Sequence, residues 1–189
     1  ASFVILNKYL ISSHALISPW RAAYAEFGSK PSHYPSSVEA LMRRILKNGA
    51  SPRVNKIVDV YNYLSLKHMI PTGAYDSDRL YGILSLTHAN GTERFVPIGS
   101  VTAENPEKGE VVYKDSRQVL CRRWNWRDSN ATKVSQDTKN VVMFVEGLAP
   151  VTREQVEDVC KELIDMVTLF CGGEARYWTL DLAESEVEF

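Results

Sequence analysis

Much that would announce a chemistry is missing from this chain. Its three cysteines, Cys121, Cys160 and Cys171, form no CxxC pair. That pattern excludes a zinc knuckle or a disulfide framework and reads as reduced cytosolic thiols, so a cytoplasmic location is expected. The four histidines, His14, His33, His68 and His88, fall in no HxH, HxxxH or HExxH spacing, so no metal site is expected. GxGxxG, Walker and GxSxG motifs are absent, and no cofactor is expected. No pair of carboxylates stands at a telling spacing. No apolar run approaches the roughly 18 residues of a membrane span. The start, Ala1-Ser-Phe-Val-Ile-Leu6, lacks the basic segment of a signal peptide, so no membrane partner is expected. Charge of one sign is lacking as well. The 22 Lys and Arg against 23 Asp and Glu leave a net charge of −1, so any RNA binding must come from a local patch.

What is present is one dense stretch, Val119-Leu-Cys-Arg-Arg-Trp-Asn-Trp-Arg127. Buried guanidiniums need anions, and surface loops rarely carry paired indoles. The mixture suits a flat, cationic surface that stacks on a base or sugar and meets phosphate. The plainer alternative is a strand edge with tryptophans inside and arginines outside. Alternation would put Cys121, Arg123 and Asn125 on one face and Arg122, Trp124 and Trp126 on the other. Arg123 and Asn125 are then expected toward a pocket, with the tryptophans largely packed. Cys121 is tested as a nucleophile beside two arginines, but no histidine stands near it, and a packed strand cysteine is the plainer reading.

Around this stretch the patterning predicts an α+β chain of one domain. Phe3–Leu6 reads as a strand. Ser18-Pro19 opens a helix with Trp20, Ala23, Tyr24 and Phe27 on one stripe. Ser36 and Glu39 read as a capping box for a second helix ending at Gly49. Ile57–Met69 reads as a third helix, in which Asn62 is less easily placed. Strands are expected at 80–87 and 94–98 around Asn90-Gly91, at 110–114 and 118–122 around a turn at Asp115, at 141–145, and at 176–180. Thr152 and Gln155 cap the longest helix, and Cys160 lies in its apolar stripe.

The run Ser36 to Leu64, with Asn55 and Val58-Asp-Val-Tyr-Asn-Tyr63, resembles the editing module of the bacterial phenylalanyl-tRNA synthetase β subunit. Ala74-Tyr-Asp76 and Thr138-Lys-Asn140, the latter followed by a strand and Glu146, are similar to further segments of that module. The Leu120–Arg127 run and Glu146-Gly-Leu-Ala-Pro-Val-Thr152 look like the free-standing B3/B4 (B3/4) relatives. The resemblance implies the α+β, three-layer PheT/TilS-like fold, an unusual β-sandwich with flanking helices. Residues 36–189 would form the B3/B4 editing-like domain, and residues 1–35 would add an N-terminal strand and helix to it.

The activity so implied is hydrolysis of a wrong amino acid from the 3′ end of tRNA, acting in trans. The aminoacylated tRNA end is then the partner, and a tRNA synthetase is a candidate docking partner. Asn62 matches the helix asparagine that lines the family's pocket, and Asn55 lies in the same signature. Glu146 matches the carboxylate that reads a polar group on the amino acid. Gly173-Glu-Ala175 matches weakly a pocket-lining turn. Gly73 stands where the module has histidine, and Arg122–Arg127 replaces its glycine-rich loop, so tyrosine specificity is not carried over. Arg123, Asn125 and Asn62 are the candidates for orienting the ester or water, and Trp124, Trp126 and Arg127 for contacting the substrate end. The rival reading is a non-enzymatic tRNA- or RNA-binding module of the same fold. A small-ligand sensor is a third.

Overall fold

A computed structural model of the chain describes residues 8–188. The strand expected at Phe3–Leu6 lies outside the described residues. Among the described residues five α-helices follow in order: α1 (Lys8–Ile11), α2 (Ser18–Glu26), α3 (Ser37–Asn48), α4 (Lys56–His68) and α5 (Arg153–Cys171). Six strands are β1 (Thr72–Asp76), β2 (Ser85–His88), β3 (Val111–Lys114), β4 (Val119–Arg122), β5 (Arg127–Asp128) and β6 (Val141–Val145). Helices come first, strands next, and the long helix after them, so the α+β class holds. No helix of the described residues is long and apolar enough to cross a membrane.

The strands form two sheets. β1 and β6 pair antiparallel, and β2-β3-β4-β5 form an antiparallel meander. Side chains alternate across the small sheet. Ala74 and Met143 face α4, packing with Val58 and Tyr61. Val145 and Met143 meet Val60, Leu64 and Leu163 of α4 and α5. On the opposite face, Tyr75, Val142 and Phe144 pack on Leu120, Cys121 and Tyr113 of the larger sheet. The result is three layers: helices, small sheet, large sheet. Each large apolar side chain buried between layers stabilises the fold by about 1.5–3 kcal/mol relative to exposure.

Local signals explain most boundaries. Thr152 and Gln155 form the expected capping box, and Gly49 ends α3 in the left-handed conformation. The Glu110–Arg122 region makes the expected hairpin, with Asp115 Oδ1 accepting from Arg117 N and Gln118 N in its turn.

Other expectations are corrected. β2 pairs with β3, and 94–98 contributes only bridges at Phe95 and Pro97. The Asn90-Gly91 turn is instead braced by Glu93, which accepts from both of its amides. Residues 176–180 form no strand; they lie along α5 on polar ties such as Thr179 to Glu157. Ser36 is the N-cap of α3, but its side chain accepts nothing there. Glu39, fully buried, is drawn instead to Arg21 and Arg43 at 2.8 and 2.7 Å. Two guanidiniums outcompete a backbone amide for a carboxylate without access to water. Cys160 is only half-buried, and that burial pushes its thiol up to about 11.

Candidate active site

Four residues, Arg123-Trp-Asn-Trp126, join β4 to β5, where Cys121 pairs with Asp128 and Arg122 with Arg127. Arg123 (φ 48°) and Trp124 (φ 65°) are both left-handed, a conformation costing L-residues about 1–2 kcal/mol each. Backbone anchors offset this. Arg123 N donates to Glu110 Oε1 (3.0 Å) and Trp124 N to Val111 O (2.7 Å). The turn ends strand alternation at Arg122, so the expected grouping of Arg123 with Asn125 on one strand face is corrected.

The cationic surface is corrected too. Arg122 is buried and bidentate on Glu110 (2.9 and 2.8 Å), with Glu104 at 3.1 Å. Arg123 is 3% exposed and meets Glu107 at 2.8 Å and Glu110 at 3.5 Å. Its guanidinium lies 3.7 Å from the Tyr34 ring centroid and 5.1 Å from that of Trp126. It is committed to these partners and does not join Asn125. Arg127 alone of the three is exposed. Trp126 packs edge-on to Tyr34, at 4.8 Å between centroids.

Trp124 and Asn125 converge instead on Glu146, just beyond β6. Glu146 Oε1 accepts from Tyr113 Oη (2.7 Å) and Trp124 Nε1 (2.6 Å), and Oε2 accepts from Asn125 Nδ2 (2.9 Å). Burial pushes the Glu146 carboxyl above its ordinary value, while these three donors pull it back. By surface the residue as a whole is half-buried, and both oxygens of its carboxylate are held. Asn125 Oδ1 accepts from Tyr24 Oη (2.9 Å) and from Ser37 N (3.1 Å). Asn125 thus supplies from a distant loop the cap that Ser36 does not give α3. Trp124 is fixed by Trp20 of α2, edge to face at 5.0 Å.

Gly73 stands opposite Phe144 on the face shared with Tyr75, and Glu146 lies one alternation further along. Nothing lies within 4 Å of where a Gly73 Cβ would be, so this face is open beside the carboxylate. Asn62 is half-buried on α4, which packs on the other face of β1. Asn55 caps α4, accepting from Val58 N (3.0 Å) and donating to Val134 O (3.3 Å). Ala175 is exposed in the segment after α5. The structure therefore brings together Asn125, Trp124, Glu146 and Gly73, and leaves Arg123, Asn55 and Ala175 apart from them. Thr138 donates to Asp76 (2.7 Å) and Asn140 to Asp78 (3.0 Å), so these motif residues lock the end of β1.

Sequence reasoning missed Tyr113 and Asp128. Register supplies both: Tyr113 pairs with Cys121, and Cys121 with Asp128, so the three form one row across β3, β4 and β5. Burial pushes the Asp128 carboxyl up to about 6, with the Cys121 thiol pulling the other way. Burial also pushes the Cys121 thiol well up, which removes it as a nucleophile.

A stability profile follows. A carboxyl whose folded-state pKa is raised binds more protons folded than unfolded, so stability falls as pH rises from about 4 to about 6 and then levels. Asp128→Asn is expected to flatten that decline and to gain up to a few kcal/mol at pH 7. Urea unfolding at pH 4.5 and 7 checks this; an unchanged decline in the variant would contradict it.

Comparison with known proteins places these observations in a family. Residues 19–172 match the model of the B3/4 domain. The chain is 29% identical over 127 residues to the phenylalanine–tRNA ligase β subunit of Fusobacterium nucleatum, covering 67% of this chain and 15% of that protein. It is 28% identical over 109 residues to the same subunit of Photorhabdus laumondii, covering 58% and 14%. The chain thus spans about one-seventh of the length of these curated relatives. Among solved structures, an N-terminal fragment of the Pyrococcus horikoshii phenylalanyl-tRNA synthetase β subunit superimposes with a TM-score of 0.49 at 21% identity, over 59% of this chain and 39% of that one. On the match of 19–172, the chain belongs to the B3/4 domain family.

Proposed function

We propose that this protein is a hydrolase that removes a wrongly attached amino acid from the 3′ end of tRNA, acting in trans. The observation that carries this reading is the carboxylate of half-buried Glu146, held by Tyr113, Trp124 and Asn125 beside the open face of Gly73. A carboxylate so held is complementary to an ammonium or hydroxyl on an amino acid. An aminoacyl ester is already activated, so binding it beside an oriented water lowers the barrier without a covalent intermediate. The relation to phenylalanine–tRNA ligase β subunits adds support for an aminoacyl-tRNA substrate. The cytoplasm, where translation runs, is the proposed location.

The non-enzymatic RNA-binding alternative draws less support, because Arg122 and Arg123 are matched by Glu104, Glu107 and Glu110. The test is a panel of mischarged tRNAs. Release of one amino acid well above the spontaneous rate is the expected result. Salt-sensitive tRNA binding without release would select the alternative. With the released substrate, Glu146→Gln is expected to lower kcat/KM by roughly ten- to a hundredfold, about 1.4–2.7 kcal/mol, because the amide loses the charge and turns its NH2 toward at least one of the three existing donors. An unchanged kcat/KM would remove Glu146 from the role given to it.

A further inference from the structure

The inter-sheet layer holds a second carboxylate on the same side as Glu146. Tyr113, Cys121 and Asp128 form one row across the larger sheet; Tyr113 and Cys121 pack against Tyr75 and Phe144 of the smaller one, and Asp128 acts electrostatically on Tyr75. Tyr113 reaches from one end of the row to Glu146 at 2.7 Å. Asp128, at the other end, lies on the two-residue edge strand β5 and is half-buried. The two acids therefore approach one layer from opposite sheets, in unlike settings. Burial pushes both carboxyls up, but both oxygens of Glu146 are taken by three neutral donors that oppose that shift. Around Asp128 stand the Cys121 thiol across the strand pair and the Tyr61 and Tyr75 side chains, and burial dominates. Paired acids whose surroundings differ in this way divide their labour between holding charge and moving protons.

We infer that Asp128 is the proton-transfer group of the deacylation, with Glu146 holding the polar group of the amino acid. The assignment rests on the deacylase reading above. Asp128, ionised, takes a proton from water as the water oxygen bonds to the ester carbonyl carbon. The bond from that carbon to the ribose oxygen then breaks, its electron pair staying with the ribose oxygen. Asp128 returns the proton there. The products are the free amino acid and a tRNA with a free terminal hydroxyl, and one water is consumed.

The groups around Asp128 leave it free to be read in a pH profile. Tyr61 of α4, Tyr75 of β1, Tyr113 of β3 and Cys121 of β4 are all pushed upward by burial. Each stays neutral across the acid and neutral range. Tyr24 of α2, behind Asn125, behaves likewise. Among the described residues, Asp128 and Glu146 are the carboxyls this layer holds, and their variants separate them.

The experiment measures enzyme-dependent release from the mischarged tRNA selected by the panel, between pH 5 and 8, for the wild-type chain, Asp128→Asn, Asp128→Glu and Glu146→Gln. The wild-type rate is expected to fall as pH drops through about 6. Asp128→Asn is expected to lose about a hundredfold at pH 7.5 and to lose the acid limb. Asp128→Glu is expected to restore part of the rate and the limb, and Glu146→Gln to keep the limb while raising KM. Thermal melts confirm that each variant is folded. Wild-type rate and limb in Asp128→Asn would overturn this assignment alone. No release by the wild-type chain from any tRNA would overturn the deacylase reading and this assignment with it.

Discussion

Replacing Glu110 with alanine is expected to lower the unfolding free energy by about 3–5 kcal/mol. Glu110 is 2% exposed. Its carboxylate accepts from Arg122 Nε and Nη2, from the Arg123 amide and from the Glu107 amide, and it pairs with Arg123 Nη1. Truncation leaves two buried guanidiniums leaning on Glu104 and Glu107, which are exposed and screened. It also removes one of the two backbone anchors that hold the left-handed turn. A buried charge stripped of its partner is among the most costly single lesions in a protein. Urea unfolding followed by circular dichroism measures it, and a loss below about 1 kcal/mol would show that the pairing is not structural. The turn carries Trp124 and Asn125 to Glu146, so the deacylation proposed above should fall in the same variant.

Asn125→Ala is the second large effect. It leaves Tyr24 Oη, Ser37 N and one oxygen of Glu146 without their partner. Each unsatisfied buried group costs about 1–3 kcal/mol, and water entry into the widened space recovers part, so about 3 kcal/mol is expected. Release of the amino acid should fall at least a hundredfold, because Glu146 loses the donor that orients Oε2. Asn125→Asp separates the two effects. It keeps an acceptor for Tyr24 and Ser37 but sets an anion against Glu146, so its release should fall as in the alanine variant while it stays the more stable of the two below pH 5. Wild-type release by both variants would exclude Asn125 from the site.

Much of the fold was legible because its signals are local. The stripe of α5, its Thr152–Gln155 box and the Asp115 hairpin turn depend on residues a few positions apart. The errors share a cause: a nearby partner was assumed where a distant one wins. Ser36 and Glu39 look like a capping box, yet Arg21 and Arg43 take the carboxylate and Asn125 serves the helix amide. Arg122 and Arg123 look cationic because Glu104, Glu107 and Glu110 stand 12 to 18 positions earlier, across a hairpin. For the site, residue type singled out Asn125 and Trp124, the family resemblance singled out Glu146, and the chain brings those three together. Asp128 and Tyr113 were invisible because only strand register aligns them with Cys121.

The way Glu146 is gripped bears on selectivity. Its donors come from β3 and from the β4–β5 turn, and through Asn125 it is tied to α2 and α3. A floor clamped from four elements is held in place, so under the deacylase function proposed above discrimination is expected to rest on a preset fit rather than on closure around the ligand. Preset apolar fit separates amino acids differing by one methylene by only about 10- to 200-fold, whereas a fixed polar reader separates a ligand that answers it from one that does not by about 10⁴–10⁵. Under the deacylase function proposed above, an amino acid whose side chain offers Glu146 nothing polar should be released far more slowly than one whose side chain does.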